Sequence, residues 1–194
     1  MTRPLPGPGR TLRAIGFDDA PFARARRAGA VHIAGVVCAG TRFEGLVFGA
    51  VRQDGWNATA VVTDLLAGGK FLPQLHLVLL DGIAFGGLNV VDLEALAAAL
   101  DRPCVAVMRS MPDLAAVERA VRRLPRAGRR LELLRRAGPI HVHGPFTFQV
   151  RGGDPREMGP ALHRLTDRGY VPEPLRLAHL VGAAVVRGES GRRA

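Results

Sequence analysis

This 194-residue chain has one lysine, Lys70, one tryptophan, Trp56, and one tyrosine, Tyr170. Aromatic residues make up 5%. With two cysteines, Cys38 and Cys104, both inside apolar runs, neither a disulfide framework nor a cysteine-rich zinc site is expected. They read as small core residues in a reducing cytoplasm. No uninterrupted apolar run reaches the length of a membrane span, and no signal-peptide pattern opens the chain, so a membrane partner is not expected. Acidic residues are also scarce: 17 stand against 27 basic ones, a net charge of +10 carried almost wholly by arginine. The arginine bias fits a G+C-rich genome. The sign of the charge favours an anionic partner, and nucleic acid, DNA or RNA, is the common one.

What is abundant is apolar sequence, at 47%. That rules out a disordered chain, and the length suits one domain with a real core. The proline- and glycine-rich start, residues 1–11, reads as a flexible leader, and 12–190 as a single domain. Strands are expected at 12–17, 31–40 and 41–53, then a helix at 58–69 with Asn57 as its cap. The run 75–82 is apolar throughout, as in a strand buried on both faces. A helix at 90–101 with Asn89 as its cap, a strand at 103–110 and a helix at 112–124 follow. A strand at 146–150 and helices at 154–169 and 172–188 close the chain. Early hairpins and later helical crossovers give an α/β, ribonuclease H-like mixed sheet flanked by helices.

Three apolar runs end in aspartate: IGFDD at Asp18, FEGLVFGAVRQDG at Asp54 and LVLLDG at Asp81. Singly, each is also an ordinary turn, since aspartate and Asp-Gly favour turns. Together, carboxylates gathered at one end of a sheet repel one another unless a cation lies among them. Hard divalent ions such as Mg²⁺ or Mn²⁺ prefer oxygen ligands of this kind. With a basic chain, the expectation is a divalent-metal-dependent nuclease. The arginine run 119–136 reads either as the solvated face of two short helices broken at Pro125 and Gly128 or as a phosphate-binding face. Trp56 reads as an anchor for the following helix or as a surface for stacking a base.

The stretches LDGIAFGGLNVVDL (80–93) and VPEPLRLAH (171–179) resemble the uncharacterised, mostly archaeal domain-of-unknown-function family ninety-nine. So do IGFDD, QDGWNAT (53–59), KFLPQ (70–74), VMRSMPD (107–113) and RGES. That family is a distant relative of endonuclease V. The shared landmarks are Gly16-Phe17-Asp18, Leu80-Asp81-Gly82 and the motif from Pro172 to His179. The resemblance implies that Asp18 and Asp81 are metal ligands, that His179 is an outer member of the site, and that Arg109 stands where endonuclease V has a lysine. Asp54 is the candidate third ligand, with Asn57 the competing position. The Pro-Tyr-Ile-Pro wedge of endonuclease V is missing; FEGLVFG stands in its place, so inosine specificity is not implied. The alternative is a non-catalytic nucleic-acid-binding protein with the same fold.

Overall fold

The computed structural model describes residues 4–23 and 29–191. In chain order the strands and helices are β1 (Arg13–Asp19), β2 (Ala30–Ala39), β3 (Arg42–Arg52), α1 (Ala58–Leu66), β4 (Leu77–Asp81), β5 (Ala84–Phe85), β6 (Asn89–Val90) and α2 (Leu93–Leu100). There follow β7 (Cys104–Met108), α3 (Leu114–Arg122), α4 (Ala127–Arg136), β8 (His141–His143), β9 (Phe146–Arg151), α5 (Pro155–Arg164) and α6 (Glu173–Arg187). Seven strands form one sheet in the order β3-β2-β1-β4-β7-β9-β8, and β5 and β6 form a small separate hairpin. β1, β4 and β7 are parallel neighbours, while β2, β3, β9 and β8 add antiparallel edges. This is the mixed α/β sheet flanked by helices that the order of elements predicts.

Hydrophobic clusters cover both faces of the sheet, and strand periodicity assigns residues to each face. Ile15 and Phe17 of β1 and Val78 and Leu80 of β4 join residues of α1 and α2 on one face. Ala14, Leu77 and Leu79 face the other way, toward Met158 and Leu162 of α5 and Leu175 of α6. Both faces of β4 are therefore filled, which accounts for its unbroken apolar run.

Several expected boundaries shift, each for a local reason. Asn89 does not cap α2, because Asn89 and Val90 belong to the β5–β6 hairpin; the cap is Asp92, whose side chain accepts from Ala95 N. Nor does the Asn57 side chain cap α1. Buried Asn89 reaches across instead, accepting from Ala58 N at 3.1 Å and donating to Asn57 Oδ1 at 2.9 Å. Gly128 does not break the arginine-rich segment; it lies inside α4, and the break falls between Arg122 and Ala127. The leader, over its described part, is tied down: Arg164 donates to the carbonyls of Pro6, Gly7 and Arg10, and Leu5 packs on the second core. None of the described helices is long and apolar enough to cross a membrane.

Candidate active site

The site follows from strand register. β1 and β4 pair in parallel with Phe17 opposite Leu80, so Asp18 and Asp81 come out side by side at the carboxyl ends of two central strands. Asp81 pairs in turn with Val107 of β7, and Arg109 follows two residues on. Period-two alternation puts Asp18 on the same face as Gly16, Asp81 with Leu79, and Arg109 with Val105 and Val107. All three therefore emerge on the face covered by α6.

Gly16 sets how closely that helix approaches. A Cβ there would lie 2.6 Å from Leu175 N and 2.6 Å from Pro174 C, so only glycine admits the start of α6 onto β1. The helix start is itself stiffened by Pro174 and by Arg176, which donates to both oxygens of the buried Glu173 carboxylate at 2.8 Å. One turn beyond Leu175, which rests over Gly16, comes His179; two residues beyond Gly16 along the strand comes Asp18. Their side chains meet, with His179 Nδ1 2.8 Å from Asp18 Oδ2. The Pro-Glu-Pro-x-Arg motif and the Gly-x-Asp motif are thus two halves of one packing contact.

Asp18, Asp81 and His179 each offer a ligand atom within 4.8 Å of the others. Arg109 Nη2 donates to Asp81 Oδ2 at 3.1 Å, and the Asp19 backbone N–H donates to Asp18 Oδ1 at 2.8 Å. The cluster lines a cleft of about 410 Å³ together with Asp19, Ala20, Pro21 and Phe22. Burial, and next the neighbouring Asp81 carboxylate, push the Asp18 carboxyl up to about 7, while the His179 hydrogen bond pulls the other way. The Arg109 side chain remains 59% exposed, so it can neutralise Asp81 and still meet an incoming anion.

Asp54 is not brought into this cluster. It follows β3, two strands from β1, and the register sets Phe48 rather than Asp54 level with Asp18. Its backbone is left-handed, with φ 49°, and its Oδ1 accepts from Leu88 N at 2.8 Å. Asp19 does similar work, its Oδ2 accepting from Gly86 N at 2.6 Å. Both aspartates hold the segment after β4. On the other side of that segment Arg130, buried in the core of the arginine run, donates to the carbonyls of Leu88, Pro125, Asp54 and Gly55 and lies 4.0 Å over the Trp56 ring. Asn57 Oδ1 is likewise engaged, accepting from Arg52 N at 3.0 Å. Trp56 is therefore an anchor that arginine covers. Arg119, Arg122, Arg135 and Arg136 form ion pairs with Asp113, Glu118, Glu132, and with Asp92 and Glu94. Much of the run is thus ion-paired within the protein, mostly to carboxylates outside the run. The residues sequence reasoning missed are Asn89 and Arg130, whose roles rest on partners 31 and up to 76 positions away.

This fold is shared by the endonuclease V structures at low sequence identity. Human endonuclease V matches with a TM-score of 0.59 at 14% identity, covering 92% of this chain and 85% of that one. A Ciona intestinalis endonuclease V, bound to DNA containing an inosine followed by a ribo-adenosine, gives 0.56 at 13%, covering 88% and 84%. A crystal structure from Archaeoglobus fulgidus, described as a protein of unknown function, matches far more fully: TM-score 0.85, 31% identity, 91% of this chain and 99% of that one. A UPF0215 protein of Deinococcus radiodurans is 42% identical over 182 residues, 93% of this chain and 92% of its own length. The chain belongs to the endonuclease dU family, whose model matches residues 10–186.

Proposed function

We propose that this protein is a divalent-metal-dependent nuclease that hydrolyses a phosphodiester bond of DNA or RNA. The observation that carries this reading is the register-matched pair Asp18 and Asp81, joined at one cleft by His179 and Arg109. The donors fit a divalent cation: two carboxylates and an imidazole lie within 4.8 Å of one another, and burial with the neighbouring Asp81 charge raises the Asp18 carboxyl to about 7. Asp18 and Asp81 would hold Mg²⁺ or Mn²⁺, and His179 fixes the Asp18 carboxylate through Nδ1. When bound, the ion would supply Lewis-acid stabilisation of charge developing on the phosphate. Arg109 steadies the non-bridging oxygens of that phosphate with the N–H groups not directed at Asp81. Water attacks phosphorus, the bond to the leaving oxygen breaks, and the proton that water gives up ends on the departing oxygen as its hydroxyl.

The family name, endonuclease dU, makes a deoxyuridine-bearing strand the first substrate to assay. End-labelled DNA and RNA oligonucleotides, plain or carrying deoxyuridine or inosine, are incubated with the protein in Mn²⁺. Cleavage is expected in Mn²⁺ and not in EDTA, and Asp81→Ala is expected to abolish it without unfolding the protein. A folded protein that leaves every strand intact, or an Asp81→Ala variant that cleaves at the wild-type rate, contradicts the reading. The second reading is nucleic-acid binding without cleavage, and the exclusion of Asp54 and Asn57 from the cluster favours it. On that reading, affinity for plain DNA or RNA falls steeply with salt while Mn²⁺ produces no cut.

A further inference from the structure

The sheet ends at β3, whose one neighbouring strand among the described residues is β2. Its register fixes which backbone groups face the open edge. Gln53 N donates to Gly29 O at 2.8 Å, continuing the ladder that sets Arg52 opposite Ala30. Bonded residues alternate along an antiparallel pair, so Gly45, Val47, Gly49 and Val51 bond to β2. Leu46, Phe48, Ala50 and Arg52 turn their N–H and C=O groups outward. Those of Arg52 are taken, the N–H by Asn57 Oδ1 and the C=O by Asn89 Nδ2. Those of Leu46, Phe48 and Ala50 face no strand.

The side chains along this edge are apolar. Leu46 and Phe48 oppose Val36 and Ala34, which α6 covers, yet they are themselves 43% and 38% exposed, and Phe43 is 51% exposed. The other face of β3 is closed, with Leu65 and Phe71 packed over Gly49 and Gly45. From Gly45 to Val51 the strand carries no charge and no proline, two devices that keep an exposed edge from pairing.

We propose that this edge pairs with β3 of a second copy of the chain, antiparallel about a two-fold axis at Phe48. The inference stands apart from the nuclease reading. Its register follows from the outward groups. Centred on Phe48, the pairing uses all three free residues: Phe48 bonds its own copy, and each Leu46 bonds the other copy's Ala50. Centred on Val47, it leaves Ala50 opposite Glu44, where the register of β3 with β2 slips. Centred on Gly49, it sets Leu46 against Arg52, whose groups are already bonded. The Phe48 register also joins Leu46 and Phe48 of both copies into one apolar strip. It brings Arg52 of each copy beside the exposed Phe43 ring of the other, a cation and an aromatic face that attract. Asp18 stands level with Phe48 across β1, β2 and β3. The axis therefore sets the two acidic clusters level with each other, on one face of the joined sheet and roughly 24 Å apart.

Sedimentation of the full chain over a range of concentrations tests the pairing. The wild type is expected at twice the 20.7 kDa of one chain. Phe48→Glu, which opposes two like charges at the axis, is expected to lose the dimer and keep the wild-type circular dichroism. So is Ala50→Pro, since proline is tolerated on the open side of an edge strand but has no N–H to give. Mild oxidation tests the register. Phe48→Cys is expected to cross-link to its own copy, because bonded antiparallel residues stand about 5.5 Å apart at Cα. Leu46→Cys, roughly 13 Å from its copy along the strand, is expected not to. The native Cys38 and Cys104 are buried and stay silent. A wild type that is monomeric throughout, a dimer that survives both Phe48→Glu and Ala50→Pro, or a cross-link at Leu46→Cys without one at Phe48→Cys overturns the proposal.

Discussion

Replacing Asp18 by asparagine is expected to stabilise the metal-free protein, and to do so in a pH-dependent way. The Asp18 carboxyl is held at about 7 in the folded state against 3.8 for the ordinary side chain, because burial and the Asp81 charge both oppose its ionisation. A group raised on folding contributes stability while it is protonated in both states. That contribution is fully present below about pH 4 and is lost as pH rises through about 7. The difference between the two values corresponds to about 4 kcal/mol as an upper bound. Asparagine keeps the shape and the hydrogen bond to His179 Nδ1 but carries no charge. Asp18→Asn is therefore expected to gain roughly 1–3 kcal/mol over the wild type at pH 8, and little at pH 4.5. Urea unfolding in EDTA at the two pH values measures this. Adding Mn²⁺ is expected to reverse the order, raising the wild-type midpoint and leaving the variant unmoved. A variant less stable than the wild type at pH 8 in EDTA, or a gain of the same size at both pH values, refutes the reasoning.

Gly16→Ala is expected to cost at least about 1–3 kcal/mol and to abolish activity together, because the added methyl meets Leu175 N and Pro174 C at 2.6 Å and lifts α6, with His179, off Asp18; unfolding curves and an Mn²⁺ titration report the two effects, and a stable, fully active variant would sever the link between packing and site. Asp54→Ala is expected to destabilise the protein by about 2–4 kcal/mol, through the lost acceptor for Leu88 N and the strain of alanine at φ 49°. Its Mn²⁺ affinity by calorimetry is expected to stay within about twofold of wild type; an affinity loss matching that of Asp18→Asn would return Asp54 to the ligand set.

The residues at the centre of the site were legible because their cause is local. Asp18 and Asp81 each close an apolar strand, and two parallel strands in register carry their last residues to the same place. Asp54 closes a strand just as plainly, and nothing nearby in sequence distinguishes it. What sets it apart is the Leu88 N–H and the left-handed turn, which become visible only when the hairpin after β4 folds back over the end of β3. The same holds for Asn89. Its position before an apolar run suits a cap for α2, yet a two-residue strand claims it and its side chain caps α1 from 31 positions away. The arginine run carried a true charge signal, but periodicity cannot show that Arg130 turns inward to collect four carbonyls while its neighbours pair with local carboxylates.

The central claim is that Asp18 and Asp81 hold a divalent ion at the point where a phosphodiester is cut. Anomalous diffraction from crystals soaked in Mn²⁺ tests it most directly. The account predicts a peak bounded by the carboxylates of Asp18 and Asp81, beside His179 and at a distance from Asp54, and its loss in Asp18→Asn. A peak at Asp54, or no peak at Asp18 and Asp81 in Mn²⁺ sufficient to support cleavage in solution, would contradict it.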